Sequence, residues 1–274
     1  MSEVSSINAS VVQGSAIGPF CFIAGASGLR PKCNGNEMGK YADDCYLIIR
    51  ASNSSSIQIE LANINSRAAS NNLILNLKKT QEIIIFKSRH TMKNIPDPII
   101  GVQRVKQLNI LGVTIDELLT FSEHVSLKVS QAHQQLYALK ALKAHGLSGT
   151  ALHNVCRAVF LPTITYASQA WWGFISANDK HKLSSVIHKV KRWDLDEGLV
   201  LPELEEECLR LDRTLFSSIL NNEQHVLNQL LPHVKVGLQS YNLRKRSHNR
   251  TLPLCTARTA KNFINRMFWN INLY

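Results

Sequence analysis

The 274-residue chain contains no CxxC pair, and its six cysteines, Cys21, Cys33, Cys45, Cys156, Cys208 and Cys255, are scattered singly. That spacing excludes a zinc module and a disulfide framework and leaves reduced, buried or incidental thiols of an intracellular protein. No apolar run reaches the roughly 20 residues that a membrane-spanning helix needs. Residues Met1 to Ser10 lack the basic start and apolar stretch of a signal peptide. A protein of the nucleus or cytoplasm, without a membrane partner, is therefore expected. No internal repeat of useful period is present, which excludes a solenoid or propeller. Acidic residues are missing altogether beyond Glu223.

That last absence gives the net charge of +11 its meaning. The final stretch carries Lys235, Arg244, Lys245, Arg246, Arg250, Arg258, Lys261 and Arg266 with no acid among them. A basic end of this kind suits a polyanion partner, although a charge run is more often a solvated surface. Residues 194–212 have the opposite bias, with Glu203, Glu205, Glu206 and Glu207 nearly consecutive. At 45% hydrophobic and 19% charged, the composition is that of an ordinary globular protein. The length allows one large or two small domains.

Residues 1–120 read as mixed α/β. Gln13-Gly14-Ser15 is loop-like. Pro19 suits the first turn of a helix, where its missing N–H costs nothing. The apolar run Phe20 to Ala26 continues that helix until Gly28 and Pro31 stop it. Ile57, Leu61, Ile64 and Ala68 recur at helical spacing, with Gln58, Glu60, Asn63 and Arg67 on other faces. Glu82 to Phe86 is a β-branched strand, Asn94 to Pro98 a turn, and Val105 to Ile115 another strand region. From Phe121 the period changes to a helical stripe, Val125, Val129, Ala132, Leu136, Leu139 and Leu142, with Lys128, Lys140 and Lys143 lying off it. Gly146 is a natural stop. Ser148 caps a second helix that runs to Phe160, and Pro162 kinks or ends it. Leu183, Val186, Ile187 and Val190 mark a third helix. Trp171-Trp172 is either a stacking surface for nucleic acid or part of the core, and burial statistics favour the core.

The densest chemical signal is Tyr41-Ala42-Asp43-Asp44. Two adjacent carboxylates at the tip of a strand–turn–strand can hold a hard divalent cation, which wants oxygen ligands and leaves room for substrate phosphates. Read by itself, the tetrapeptide is equally a polar turn, since Asp is a favoured turn residue. Its neighbours add information. Gln13-Gly14-Ser15 is followed by Gly18-Pro19. Downstream come Leu75-Asn76-Leu77-Lys78-Lys79-Thr80 and then Leu111-Gly112-Val113. In this order the chain resembles the reverse transcriptases of non-LTR (LINE-like) retrotransposons, most strongly over 11–120. The segment Tyr166 to Phe174 resembles that family's thumb, and the Asn- and Arg-rich end resembles the C-terminus of some of its members.

The resemblance implies an α+β fold: a partial polymerase palm over 1–120, a helical thumb-like region over 121–234 and a basic C-terminal tail over 235–274. It implies Asp43 as principal ligand of Mg²⁺ or Mn²⁺, with Asp44 supporting the site, and Lys79 near the leaving pyrophosphate. It places Tyr41 beside the primer end, Gln13, Gly14 and Ser15 along the nucleotide pocket, and Leu111-Gly112-Val113 as the turn that grips the primer. The expected partners are an RNA template, a DNA primer and nucleotides, with Arg244, Lys245, Arg246 and Arg250 as the densest phosphate-binding patch. Val12 and Cys45 depart from the proline and threonine usual beside these motifs. A two-metal palm needs a further carboxylate from a strand upstream of Gln13, and the only acid there is Glu3. The fingers and an endonuclease domain have no counterpart. The expectation is an RNA-directed DNA polymerase fragment, inactive as this chain; the alternative is a non-catalytic nucleic-acid-binding remnant of a mobile element.

Overall fold

A computed structural model describes residues 17–91, 95–195, 201–234, 250–254 and 256–271. These fall into two compact units, one of 17–82 with 95–105 and one of 83–91 with 106–271. The architecture is mixed α and β, and the strands pair only in twos among the described residues.

In the first unit, helix α1 (Gly18–Ala26) starts with Pro19 in its first turn, as the sequence predicts. Strands β1 (Glu37–Tyr41) and β2 (Asp44–Ile48) form an antiparallel hairpin. Helix α2 (Ile57–Ser70) follows and stops at Asn71, with Asn72 in the left-handed region at φ 55°. The apolar stripe expected to bury α2 is only half-buried, and the fully buried side chain is Glu60, at 0% exposure. Its carboxylate accepts hydrogen bonds from the backbone N–H groups of Lys32 (2.9 Å) and Cys33 (2.8 Å) and from Asn36 Nδ2 (2.9 Å). Burial alone raises its pKa, but these donors outweigh burial and hold it below the usual glutamate range. Glu60 thus anchors the 31–36 loop that leads into β1. Lys40 of β1 donates to the carbonyls of Ala26 (2.7 Å) and Leu29 (2.9 Å), tying the end of α1 to the hairpin.

The strand expected over Glu82 to Phe86 is largely absent. Only β3 (Gln81–Glu82) pairs, in parallel with β4 (Gln103–Arg104). The Phe86 amide instead donates to the Glu117 carbonyl at 2.8 Å, so the ladder ends where the chain enters the second unit. The strand region expected from Val105 is a hairpin, β5 (Gln107–Ile110) with β6 (Val113–Asp116). This hairpin belongs to the second unit: Val113 is buried in its core and Ile115 packs against the same cluster. The two compact units thus interleave along the chain, with 83–91 and the stretch from 106 onward in the second.

The second unit is helical beyond β6. Asp116 turns the chain into α3 (Ser122–Ala144) by accepting the amides of Leu118, Thr120 and Phe121. Of the expected stripe, Val125, Ala132, Leu136 and Leu139 are buried and Val129 is half-buried, while Leu142 is exposed near the helix end; Gly146 follows at φ 94°. Then come α4 (Gly149–Val155), a π-helical turn over Cys156–Phe160, and α5 (Leu161–Thr165). The wide turn sits directly ahead of Pro162, which has no N–H for an ordinary helical bond. Short α6 (Ser168–Trp171) carries the tryptophan pair into the core, Trp171 at 0% exposure. Its indole N–H donates to the Tyr166 carbonyl at 2.9 Å. Helix α7 (Ala177–Arg192) begins with a reciprocal cap: Ser176 Oγ accepts from the Asp179 amide, and the Asp179 carboxylate accepts from Ser176 and from Ser122 of α3. Helix α8 (Leu204–Asn221) starts with the acidic run, where carboxylates suit the positive end of the helix dipole.

The C-terminal region is not simply a basic tail. Helix α9 (Phe263–Ile271) packs Phe263, Ile264, Met267 and Phe268 against Phe216 and Ile219 of α8, forming a second core cluster. Arg266 on α9 pairs with Asp212 of α8 at 2.7 Å, and Arg258 donates to the carbonyls of Phe86, Lys87 and Leu118.

Candidate functional site

The Tyr41–Asp44 motif sits at the tip of the β1–β2 hairpin. Tyr41 and Asp44 are the last paired residues, and Ala42-Asp43 is the two-residue turn between them. Two-residue hairpin loops need a positive φ that matches strand twist. Ala42 supplies it at φ 48°, a conformation that costs an ordinary L-residue about 1–2 kcal/mol. Glycine would be the unstrained choice, so the turn holds its alanine at an expense. Residues 41 to 45 are all exposed.

Asp43 occupies the second turn position and Asp44 opens β2, where its Oδ2 accepts from Tyr46 Oη at 3.2 Å. Tyr46 lies two residues along the same face of the strand. The tip is electronegative enough to act on its neighbour: desolvation of the sulfur pushes the Cys45 thiol up, Lys40 opposes this, and both aspartates add to it. No group of three or more His, Cys, Asp or Glu close enough to hold a metal occurs among the described residues. Asp43 and Asp44 are adjacent and exposed at the tip.

Lys79 lies on its own turn. Asn76 organises it, its backbone carbonyl accepting from the amides of Lys79 (3.1 Å) and Thr80 (3.0 Å) and its Oδ1 from the Lys79 amide (3.2 Å). The Lys79 residue is exposed. Tyr41, Asp43 and Asp44 are therefore brought together in one turn, while Lys79 stands on a second element of the same unit.

Leu111-Gly112-Val113 belongs to the second unit. Leu111 (φ 49°) and Gly112 (φ 82°) form the two-residue turn of β5–β6, both with the positive φ of a type I′ hairpin. Asn109 Oδ1 accepts from the Gly112 amide at 2.9 Å. Tyr166 clamps the turn: its hydroxyl donates to the Leu111 carbonyl at 2.8 Å, and its ring would lie 3.2 Å from any Cβ at position 112. Lys128 Nζ stands 5.1 Å from the centre of that ring, and burial lowers its pKa. Motif order does not single out Tyr166, yet it is the side chain that holds this turn.

Gln13, Gly14 and Ser15 lie outside the described residues, as do Arg244, Lys245 and Arg246. Arg250 is described, and it is engaged: its Nη1 donates to the Pro232 carbonyl at 2.9 Å, and its backbone bridges to Val234. With Arg258 and Arg266 also bound internally, three of the eight terminal cations hold the fold together. Sequence patterns do not show this because the carbonyl and carboxylate partners come from distant segments. Among the described residues no helix is long and apolar enough to cross a membrane. No protein-family model, no curated protein and no solved structure matches this chain.

Proposed function

We propose that the β1–β2 hairpin is the metal-binding strand pair of a reverse-transcriptase palm of the non-LTR type, and that the helical unit is its thumb. The observation that carries this reading is the placement of Asp43 in the hairpin turn with Asp44 and Tyr41 as the closing pair. Both carboxylates are exposed, so phosphate oxygens of a substrate can complete a cation's shell there. When bound, the divalent ion would neutralise phosphate charge and polarise the reacting phosphoryl group. The chain's own contribution is positional. The strained Ala42 turn fixes Asp43, the Tyr46 hydroxyl orients Asp44, and Glu60 with Lys40 anchors the hairpin's entry. The Leu111–Gly112 turn, clamped by Tyr166, supports the reading of a primer-contacting hairpin.

The decisive experiment is a calorimetric titration with Mn²⁺, alone and with a nucleoside triphosphate. Wild-type protein should bind the ion weakly, and more tightly once triphosphate supplies oxygens. Asp43→Asn should lose the heat in both conditions. An unchanged titration in the variant would show that the pair is a polar turn. Primer extension on an RNA template reports separately on catalysis. This chain is expected to show none, and robust extension abolished by Asp43→Ala would replace that expectation with full polymerase activity.

A further inference from the structure

A cleft of about 500 Å³ lies in the helical unit between α3 and the end of α7, within the size range of ligand sites. The two segments run side by side in the same direction. Ser122 meets Asp179, His133 meets Lys189 and Lys143 meets Asp194, in that order along both. The floor of the cleft on α3 is Tyr137, Ala141 and Ala144, spaced four and three residues apart and so on one face. Trp193 closes the opposite side. The two alanines keep the floor low, so another backbone can come close. The two aromatic groups are unusually open for residues that gain by burial: Tyr137 is 77% exposed and Trp193 38%.

Each wall carries a lysine. Lys140 Nζ stands over the Trp193 ring, 5.4 Å from its centre. Lys189 Nζ lies 2.9 Å from His133 Nε2. Desolvation, then the Lys189 charge, lowers the His133 pKa. Among the described residues no carboxylate lines the cleft. The nearest acid in sequence, Asp194, is already paired with Lys143 at 2.8 Å.

An apolar strip at helical spacing, with a cation on either side of it, is the pattern of a helix–helix seam: apolar side chains meet inside and charged ones pair along the flanks. We infer that this cleft is the docking site for an acidic amphipathic helix of a partner protein. Its apolar side chains enter between Tyr137 and Trp193 over the two alanines, and its carboxylates pair with Lys140 and Lys189. Charge complementarity selects the occupant. A second copy of this chain, with its net charge of +11, is opposed by like charge. A stacked base is disfavoured, because the Lys140 ammonium already occupies a face of the Trp193 ring. The inference uses no residue of the Asp43 hairpin and is independent of the metal-site reading.

The test uses the intact protein and a synthetic peptide of about 18 residues, long enough to hold a helix. It carries leucine along one face and glutamate on both flanks. Binding is followed by tryptophan fluorescence and by anisotropy of the labelled peptide. Lys140→Ala and Lys189→Ala should each weaken binding by about threefold, as expected for exposed ion pairs. Replacing the peptide's leucines by serine, or Trp193 by alanine, should weaken it by at least about tenfold. Trp193→Phe should bind normally but lose the fluorescence change, which separates docking from a folding defect. The Lys140→Glu/Lys189→Glu protein should reject the glutamate peptide and bind its lysine counterpart instead. Failure of that charge swap would overturn the inference. So would equal affinity for the serine peptide or for polyglutamate, since charge alone would then explain binding. Oligouridylate that binds more tightly than the peptide and displaces it would also overturn it.

Discussion

Replacing Arg266 by Met tests whether the C-terminal helix is a structural part of the second unit. Asp212 is 2% exposed and its Oδ2 depends on Arg266 Nη2 at 2.7 Å. Its other oxygen, Oδ1, is buried without a hydrogen-bond partner. Methionine keeps an apolar stem of similar reach but leaves the carboxylate uncompensated. Removing one partner of a buried ion pair typically costs about 3–5 kcal/mol. Because the pairing is made through one carboxylate oxygen rather than two, the lower end, about 3 kcal/mol, is expected here. At about 2–4 °C per kcal/mol for a unit of this size, the transition should fall by about 6–12 °C.

The pH dependence supplies an independent sign. Burial raises the Asp212 pKa, and Arg266 pulls it back only in part. A carboxyl with a raised folded pKa contributes stability at low pH and loses it as pH rises through that pKa. Without Arg266 the raised pKa climbs further and the loss above it grows. Wild type and Arg266→Met should therefore differ most at neutral pH and converge on acidification, as Asp212 becomes neutral and needs no partner. Urea melts followed by near-ultraviolet circular dichroism read this difference, and Asp212→Asn/Arg266→Met should recover much of the stability. A loss below about 1 kcal/mol at neutral pH would refute the reasoning, because it would mean that Asp212 reaches water or another partner. So would a loss that grows with acid.

What the sequence makes legible follows from local physics. The hairpin at Tyr41–Asp44, the proline start of α1 and the stripe of α3 each depend on residues within a few positions of one another. The tryptophan pair reads correctly as core because large apolar rings gain most by burial. The failures are non-local. Glu60 reads as a surface residue of an amphipathic helix, yet a loop nearly thirty residues upstream supplies three donors that hold it inside. The β-branched run Ile83 to Ile85 has strand propensity, but the neighbouring Phe86 amide finds Glu117 rather than a continuing ladder. The basic end reads as one electrostatic patch because charge counts do not show that Arg250, Arg258 and Arg266 are already bound. Of the candidate site, motif order locates the aspartates and both turns, while the clamp of Tyr166 arises only from packing between distant segments.

Further outcomes follow from particular side chains. Gly112→Ala should destabilise the second unit by about 1–2 kcal/mol, since φ 82° disfavours any Cβ and the new methyl meets the Tyr166 ring at 3.2 Å; an unchanged melt would mean that the turn is not clamped. Cys208 is buried and its thiol is pushed up to about 12 by burial, so a thiol reagent should label exposed Cys21 rapidly and Cys208 only on unfolding; fast labelling of both in native protein would contradict the packing of α8. Burial, then the Lys128 charge, lowers His124 to about 4, so its imidazole should remain neutral through the range in which an exposed histidine titrates. A base with a depressed folded pKa contributes stability above its unfolded pKa and loses it as pH falls toward about 4, and a His124 NMR titration midpoint near the ordinary value would refute this. Finally, if the terminal cations bind nucleic acid, those with structural partners are the poorer candidates. Arg250 holds Pro232, so its replacement should lower stability as well as charge. Replacing Arg244, Lys245 and Arg246 together should reduce the salt slope for single strands by about 0.7 for each phosphate no longer held, with RNA and DNA affected alike because phosphate contacts carry no base information. If that triple variant keeps its slope, the terminal stretch is not the nucleic-acid surface.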